Sequence, residues 1–387
     1  MKKEIKNLKK AAKRILKAVK KKEPIIIYGD SDMDGVSSVI ILKEAINSIG
    51  GTLSAVHVSD REEEGYGISE KALLSLKKYA PALFITVDLG IGNFKEVDAA
   101  NKMGFEVIII DHHEILDKIP NASIVVDPKQ KGDKYPFKHF AAVGLVFKLV
   151  EEIFKGKMPG LLKKSFLELT AMATIADMMP RERDNEEMII EGMSYLPESW
   201  RPGIKALFSL KDFEGLILSQ KIIKANSILN IRDIKEGLPA AYRLLTISDQ
   251  KEAEKIAEDL FKRNVEKRIK IKEVVRKIED KIKFKEENIV FEGNKDWDLI
   301  LLGVAAAIVS KNTKKPVFLY SERNKKCQGS VRAPDGFNTV EAMKACADIL
   351  ITYGGHPKAA GFTIKRENLE KFEKCLIKYF RKNNSQL

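Results

Sequence analysis

The sequence predicts an α/β protein: a parallel-sheet domain joined by a helical connector and a long helix to a smaller α/β domain. Three observations carry this reading. Five short apolar runs, many of them β-branched, fall between residues 25 and 126, and helical stretches separate most of them. That alternation builds a parallel sheet covered on both faces. A charged segment then runs from Ser248-Asp249 to about 282 with no Gly or Pro inside it, which reads as one long helix behind an N-cap. Strand signals resume over 288–387.

The elements follow in order. Residues 1–22 (MKKEIKNLKKAAKRILKAVKKK) place Ile5, Leu8, Ala12, Ile15, Leu16 and Val19 at helical spacing, an amphipathic helix docked on a core with its lysines in water. The strands are IIIY (25–28), LSAVHV (53–58), LFITV (83–87), VIII (107–110) and SIVV (123–126), with helices at 36–48, 69–79 and 93–103. Residues 138–178 read as helical and complete a domain at 23–180. The connector, 181–285, is mixed and mostly helical, with turns at Pro202-Gly203 and around Gly237-Leu238-Pro239, and ends in the long bridging helix. In 286–387, the runs NIVF, LILLGV, PVFLY, CQGSVRA and GFTIK read as strands, and 304–313, 339–349 and 367–380 as helices.

Composition narrows the class. With 44% hydrophobic and 32% charged residues, the 387-residue chain is not globally disordered. Three cysteines without a CxxC pair exclude a disulfide scaffold and a Cys-type zinc site, and point to a reducing compartment, the cytoplasm. No apolar run approaches the roughly 20 residues of a membrane helix, and the N-terminus is too charged for a signal peptide, so no membrane role is expected. The 68 Lys and Arg against 55 Asp and Glu leave a formal charge of +13, which favours polyanions such as nucleic acid.

The chemistry sits behind the strands. IIIY is followed by GDSDMDG with Asp30, Asp32 and Asp34; LFITV by Asp88; VIII by Asp111, His112 and His113; and SIVV by Asp127. Ligands of open parallel sheets bind outside the carboxyl ends of the strands, so these side chains can converge. One such Asp alone would read as a helix cap or turn residue. Together, packed carboxylates repel unless a cation neutralises them, and admixed imidazole tilts the choice from Mg²⁺ toward Mn²⁺.

These motifs resemble those of the DHH phosphoesterase superfamily. Asp30-Ser31-Asp32-Met33-Asp34-Gly35, Asp88 and Asp111-His112-His113 are similar to its first three motifs. Thr174-Ile175-Ala176-Asp177-Met178-Met179-Pro180 is similar to the fourth. Gly329-Ser330-Val331-Arg332 and Gly354-Gly355-His356-Pro357-Lys358-Ala359-Ala360-Gly361 resemble the DHHA1-type substrate-binding domain that accompanies it. The tripled Asp, Gly65-Tyr66-Gly67 after Arg61, and Gly144-Leu145-Val146-Phe147-Lys148 narrow the resemblance to RecJ-like exonucleases, in a short archaeal-type layout without an OB-fold.

The resemblance implies hydrolysis of single-stranded DNA or RNA with two divalent ions, Mn²⁺ preferred and Mg²⁺ accepted. It implies that Asp30 and Asp32 hold one ion and that Asp34, His112 and Asp177 hold the other, with Asp88 bridging. His113 would contact the scissile phosphate or a ligand carboxylate, with Asp111 orienting the histidine pair, and Ser330, Arg332, Gly354, Gly355 and His356 would bind substrate. The two domains would face each other across a cleft. Two alternatives stand beside this reading: a phosphoesterase for oligoribonucleotides of a few residues or for nucleoside bisphosphates, and a scaffold subunit of a replication complex associated with GINS. Arg232 reads as a surface salt-bridge residue.

Overall fold

The computed structural model describes residues 4–61, 63–115, 118–283, 287–323 and 325–383. The chain divides into two compact units, Met1–Lys262 and Arg263–Leu387.

The first unit begins with α1 (Leu8–Lys21), β1 (Ile25–Gly29), α2 (Met33–Ser48), β2 (Ala55–Val58), α3 (Glu70–Leu76), β3 (Ala82–Val87), α4 (Phe94–Lys102), β4 (Phe105–Ile110) and β5 (Ile124–Val126). Its sheet is parallel throughout, in the order β2-β1-β3-β4-β5. Each central strand is apolar on both sides because both sides are covered. Ile25, Ile27, Ile85 and Ile108 pack with α1, α2 and the following helices; Ile26, Phe84 and Ile109 pack with α3 and α4. The order reverses between β1 and β3, the place where parallel sheets open a crevice for ligands.

Helices α5 (Ala142–Phe154), α6 (Gly160–Ala176), α7 (Arg183–Tyr195), α8 (Pro202–Phe208) and α9 (Leu218–Leu229) follow, then a short hairpin of β6 (Ile234–Lys235) and β7 (Leu238–Pro239), and α10 (Ala240–Thr246). The hairpin turn uses Glu236 and Gly237, both at positive φ. Pro202 starts α8 at its first turn, so the expected turn there is a helix start, where proline's missing N–H costs nothing. Residues 138–141 are not helical, and α5 begins at Ala142.

The long helix α11 spans Gln250–Ile282, and the Asp249 carboxylate accepts the Glu252 N–H at 2.7 Å as its cap. Its first half supplies Ala253, Ala257 and Leu260 to the first unit's core. Its second half supplies Ile271, Val274 and Ile278 to a core of the second.

The second unit adds β8 (Val290–Asn294), α12 (Leu299–Thr313), β9 (Val317–Arg323), β10 (Lys326–Arg332), α13 (Thr339–Lys344), β11 (Leu350–His356), β12 (Ala359–Lys365) and α14 (Leu369–Asn383). Its mixed sheet runs β11-β12-β10-β9-β8, with only the β8–β9 pair parallel. One face packs Phe318, Cys327, Val331 and Phe362 against α13 and α14. The other packs Val317 and Leu319 against α12 and α11.

Three expectations are corrected here. LILLGV forms the start of α12, not a strand; periodicity cannot separate a buried helix from a buried strand in so apolar a run, and Asp298 precedes it as the N-cap. Leu350–His356, absent from the strands read in the sequence, forms β11 and ends in Gly354-Gly355-His356. Cys346 and Cys375 form a disulfide with Cα atoms 6.2 Å apart, leaving only Cys327 free, so a reducing compartment does not follow from the cysteines. The 29-residue separation gave no local signal. No helix among the described residues is long and apolar enough to cross a membrane.

Arg201 is the largest fully buried side chain, and it ties three elements of the first unit together. Its guanidinium donates to both oxygens of Glu44 on α2, at 3.0 and 2.6 Å, and to the Leu245 carbonyl on α10 at 2.9 Å. Removing it strands a carboxylate and a carbonyl. Arg201→Ala is therefore expected to destabilise the first unit by about 3 kcal/mol. Urea unfolding followed by far-UV circular dichroism measures this, and a loss below about 1 kcal/mol would refute it.

Candidate active site

In the first unit, the C-terminal ends of β1, β3 and β4 deliver the acids to one edge. Asp30 leaves β1 fully buried. Its carboxylate accepts the Ser31 N–H at 2.7 Å, the Ser59 hydroxyl at 3.1 Å and the Arg61 Nε–H at 2.8 Å. Arg61 also donates to Asp32 at 2.7 Å, so one guanidinium neutralises both acids. Asp32 is the N-cap of α2, accepting the N–H groups of Asp34 and Gly35. A Cβ at Gly35 would meet the Asp30 carbonyl oxygen at 2.5 Å, so the motif needs glycine there.

Asp34 points the other way. Its two oxygens accept the Ala142 and Val143 N–H groups, each at 2.7 Å, and so cap the N-terminus of α5. Asp88 follows β3 at φ 62°, a left-handed conformation that a non-glycine residue holds only where its surroundings impose it. The Asp111 carboxylate accepts the N–H groups of Ile91, His112 and His113 and, at 2.7 Å, His113 Nδ1–H. Asp177 ends α6 as its C-cap residue.

The groups meet around His112. Its Nε2 lies 3.3 Å from Asp88 Oδ1, 3.6 Å from Asp177 Oδ2 and 3.7 Å from Asp34 Oδ2. Asp88 Oδ1 and Asp177 Oδ2 are buried and have no hydrogen-bond partner. Three overlapping sets have ligand atoms close enough to share a cation: Asp30, Asp32 and Asp88; Asp34, His112 and Asp177; and Asp88, His112 and His113. Oxygen donors with one or two imidazoles suit Mn²⁺ or Mg²⁺. The third set brings His113 into ligand range, beyond the phosphate contact expected for it. Its ring also lies 3.1 Å from the Tyr66 hydroxyl.

The electrostatics follow from burial. Asp34 is pushed well above the carboxylate range by burial and by the charges of Asp177 and Asp32. Asp88 is raised likewise by burial and by Asp34 and Asp32. Burial and Asp32 push Asp177 up to about 7. Burial is the largest influence on Asp32 and raises it, but the Arg61 guanidinium, the Gly35 N–H and the Asp88 side chain together bring the net direction down. Asp111 resists burial through the His113 hydrogen bond and falls to about 2, while Asp111 raises His113 against its own burial. Burial lowers His112 to about 4. Asp127, at the end of β5, lies outside these sets; burial raises it to about 7.

Sequence reasoning missed two contributors. Arg61 is a loop residue whose role shows only in three dimensions, and the Ala142 and Val143 N–H groups are backbone donors that carry no residue signature. Arg232 pairs with Asp60 at 2.7 Å, the salt bridge expected of it.

In the second unit, Ser330, Arg332, Gly354 and His356 share one face by register: Arg332 lies opposite Ala359, itself opposite His356, and Ser330 opposite Gly361, itself opposite Gly354. Gly355 takes φ 132°. Arg332 is lowered by burial and has no carboxylate partner among the described residues, the setting of an anion-binding guanidinium. A Cβ at Gly303 of α12 would lie 3.2 Å from its Nη2, so that glycine makes room for it.

The chain matches the DHH family, N-terminal domain, over residues 24–174 and the DHHA1 domain over 286–382. It is 32% identical to the single-stranded-DNA-specific exonuclease RecJ of Bacillus subtilis over 95% of this chain and 47% of that one. With its counterpart from Thermus thermophilus the figures are 30%, 93% and 52%. The chain thus spans about half the length of the curated relatives it matches. The structure resembles a crystal structure of exonuclease RecJ bound to manganese with a TM-score of 0.83 at 26% identity, covering 97% of this chain and 94% of that one. It also resembles RecJ in complex with Mn²⁺ from Thermus thermophilus, with a TM-score of 0.84 at 26% identity over 98% of this chain and 55% of that one.

The crowded acids set a pH dependence. Asp34, Asp88, Asp177 and His113 hold protons more tightly folded than unfolded, so the stability they contribute is lost as pH rises, for Asp177 through about 7. His112, lowered to about 4, acts in the opposite sense below its ordinary value, one group against four. In EDTA the thermal midpoint is expected to fall between about pH 5 and about pH 8, and saturating Mn²⁺ to flatten that slope by favouring the ionised forms. A midpoint that rises over this interval in EDTA would refute the charge crowding.

Proposed function

The chain belongs to the DHH phosphoesterase superfamily as a RecJ-like member, and from that premise we propose that it is a metal-dependent exonuclease hydrolysing phosphodiester bonds of single-stranded DNA or RNA. The observation that carries this is the convergence on His112 of three carboxylates, two of them with buried oxygens that no protein donor satisfies. Unpaired acids at this density fit a divalent-cation site better than a structural network.

In this proposal Asp30 and Asp32 hold one ion, Asp34, His112 and Asp177 the other, and Asp88 both. Bound Mn²⁺ or Mg²⁺ would supply a nucleophilic water at neutral pH and stabilise the leaving oxygen. His113, held by Asp111 through Nδ1, would donate its Nε2–H to the scissile phosphate. Arg61 provides the positive charge that balances Asp30 and Asp32. Ser330, Arg332 and His356 bind a phosphate of the strand. The named function of the relatives, single-strand-specific DNA exonuclease, supports the substrate class.

A scaffold role alone is disfavoured because every candidate ligand is present. Association with replication or repair proteins such as GINS is a separate proposal, compatible with catalysis and tested by co-purification.

Asp88→Ala is expected to lower Mn²⁺-dependent cleavage of end-labelled single strands by about a hundredfold or more, since losing a shared ligand exceeds the effect of losing a ligand's supporting group. Wild-type rates in that variant would refute the site. In a length series, activity confined to strands of about two to five nucleotides would replace the exonuclease with the small-substrate phosphoesterase. Strand affinity of Asp88→Ala is expected to fall steeply with salt as phosphate contacts release counterions.

A further inference from the structure

The open face of the second unit's sheet carries more than the phosphate-binding row. On β10, residues 326, 328, 330 and 332 point to that face, while Cys327 and Val331 are buried on the other. The pairing makes each a cross-strand row. Arg332 shares its row with Ala359 and His356, Ser330 with Gly361 and Gly354, and Gln328 with Thr363 and Thr352; Lys326 lies opposite Lys365. Rows succeed one another at about 7 Å along the strand.

The Gln328 row is the richest of these in neutral hydrogen-bonding groups: it offers an amide and two hydroxyls, groups that both donate and accept. None of the three side chains has a hydrogen-bond partner among the described residues, and Gln328 and Thr352 are exposed. They line a concavity of about 360 Å³, closed on one side by Leu299 of α12 and continuous with Ser330 and Gly354. That volume suits one mononucleotide-sized ligand. Gly354 has open space where a Cβ would stand, so backbone can approach a ligand there.

Resting on the exonuclease reading above, we infer that Gln328, Thr352 and Thr363 form a nucleoside subsite that takes the sugar and base attached to the phosphate bound at Ser330 and Arg332. Gln328 supplies the hydrogen bonds that a base edge can match, and Leu299 supplies an apolar wall.

The test uses the whole 387-residue chain in EDTA, titrated by calorimetry with inorganic phosphate, with deoxyribose 5-phosphate and with nucleoside monophosphates. Gln328→Ala is expected to weaken nucleoside monophosphates by about tenfold and leave inorganic phosphate unchanged, whereas Arg332→Ala weakens all three. Gln328 is exposed and unpartnered, so its variant should keep the wild-type melting temperature. Equal affinities of Gln328→Ala and wild type for nucleoside monophosphates would overturn the subsite, as would an equal loss for inorganic phosphate. Cleavage assays with Mn²⁺ separate the two readings. Normal exonuclease activity together with unchanged nucleotide affinity in Gln328→Ala sinks the subsite alone, while a wild-type chain that cleaves no strand sinks the exonuclease reading and the subsite built on it.

Discussion

The first unit is organised around a charge-solvation conflict. Asp30, Asp34, Asp88 and Asp111 are all buried at one edge of a parallel sheet, with Asp32 and Asp177 beside them. A carboxylate taken from water without a partner costs several kcal/mol, so each must be compensated. Compensation comes from three sources: the Arg61 guanidinium for Asp30 and Asp32, the N-terminus of α5 for Asp34, and the backbone N–H groups near Ile91 and His112 with the His113 ring for Asp111. Asp88 and Asp177 are the remainder. Their buried oxygens face His112 Nε2 and no protein donor, and this shortfall in positive charge is the physical basis of cation binding.

The sheet makes that conflict possible. Parallel strands put all their carboxyl ends on one edge, so residues 30, 88 and 111 come together although nearly 60 positions separate the first two. This is why so much of the centre was legible: strands were recognisable by their β-branched runs, and whatever followed each of them had to lie at that edge. The parts that escaped were of a different kind. Arg61 sits in a loop, and although Gly65-Tyr66-Gly67 after it marks the resemblance, its role shows only in its bonds to Asp30 and Asp32. The Ala142 and Val143 donors belong to the main chain.

In the second unit, legibility failed where local patterns were ambiguous. Leu299–Val304 is apolar enough for either a strand or a helix, and only its packing across β9 and β10 decides for α12. That choice has consequences for function. Because α12 covers only part of the sheet face, β10, β12 and β11 keep an exposed surface beside it, and Gly303 leaves the space Arg332 occupies. A strand in place of α12 would have given no such edge. The strand ending at Gly354 and Gly355 escaped because glycine weakens strand signals, yet these residues pair in register with Gly361 and Ala360.

Helix capping and the ligand roles proposed for these acids do not compete. A carboxylate offers about four lone-pair sites. Asp32 uses one oxygen to cap α2 while the other meets Arg61, and Asp34 caps α5 while one oxygen stays 3.7 Å from His112 Nε2. Reading Asp32 and Asp34 as helix caps is therefore correct and incomplete. The caps fix the carboxylate planes through short backbone bonds, and that fixation aims the remaining lone pairs at a common point. Asp88, which caps no helix, is aimed by its backbone, held at positive φ with its own N–H bonded to the Ile110 carbonyl at 3.0 Å. A side chain held only by rotamer preference would swing away from neighbours of like charge. Hydrogen-bonded caps and one strained backbone position keep the acids facing one another, and a ligand shell poised in this way loses little conformational freedom when a cation binds.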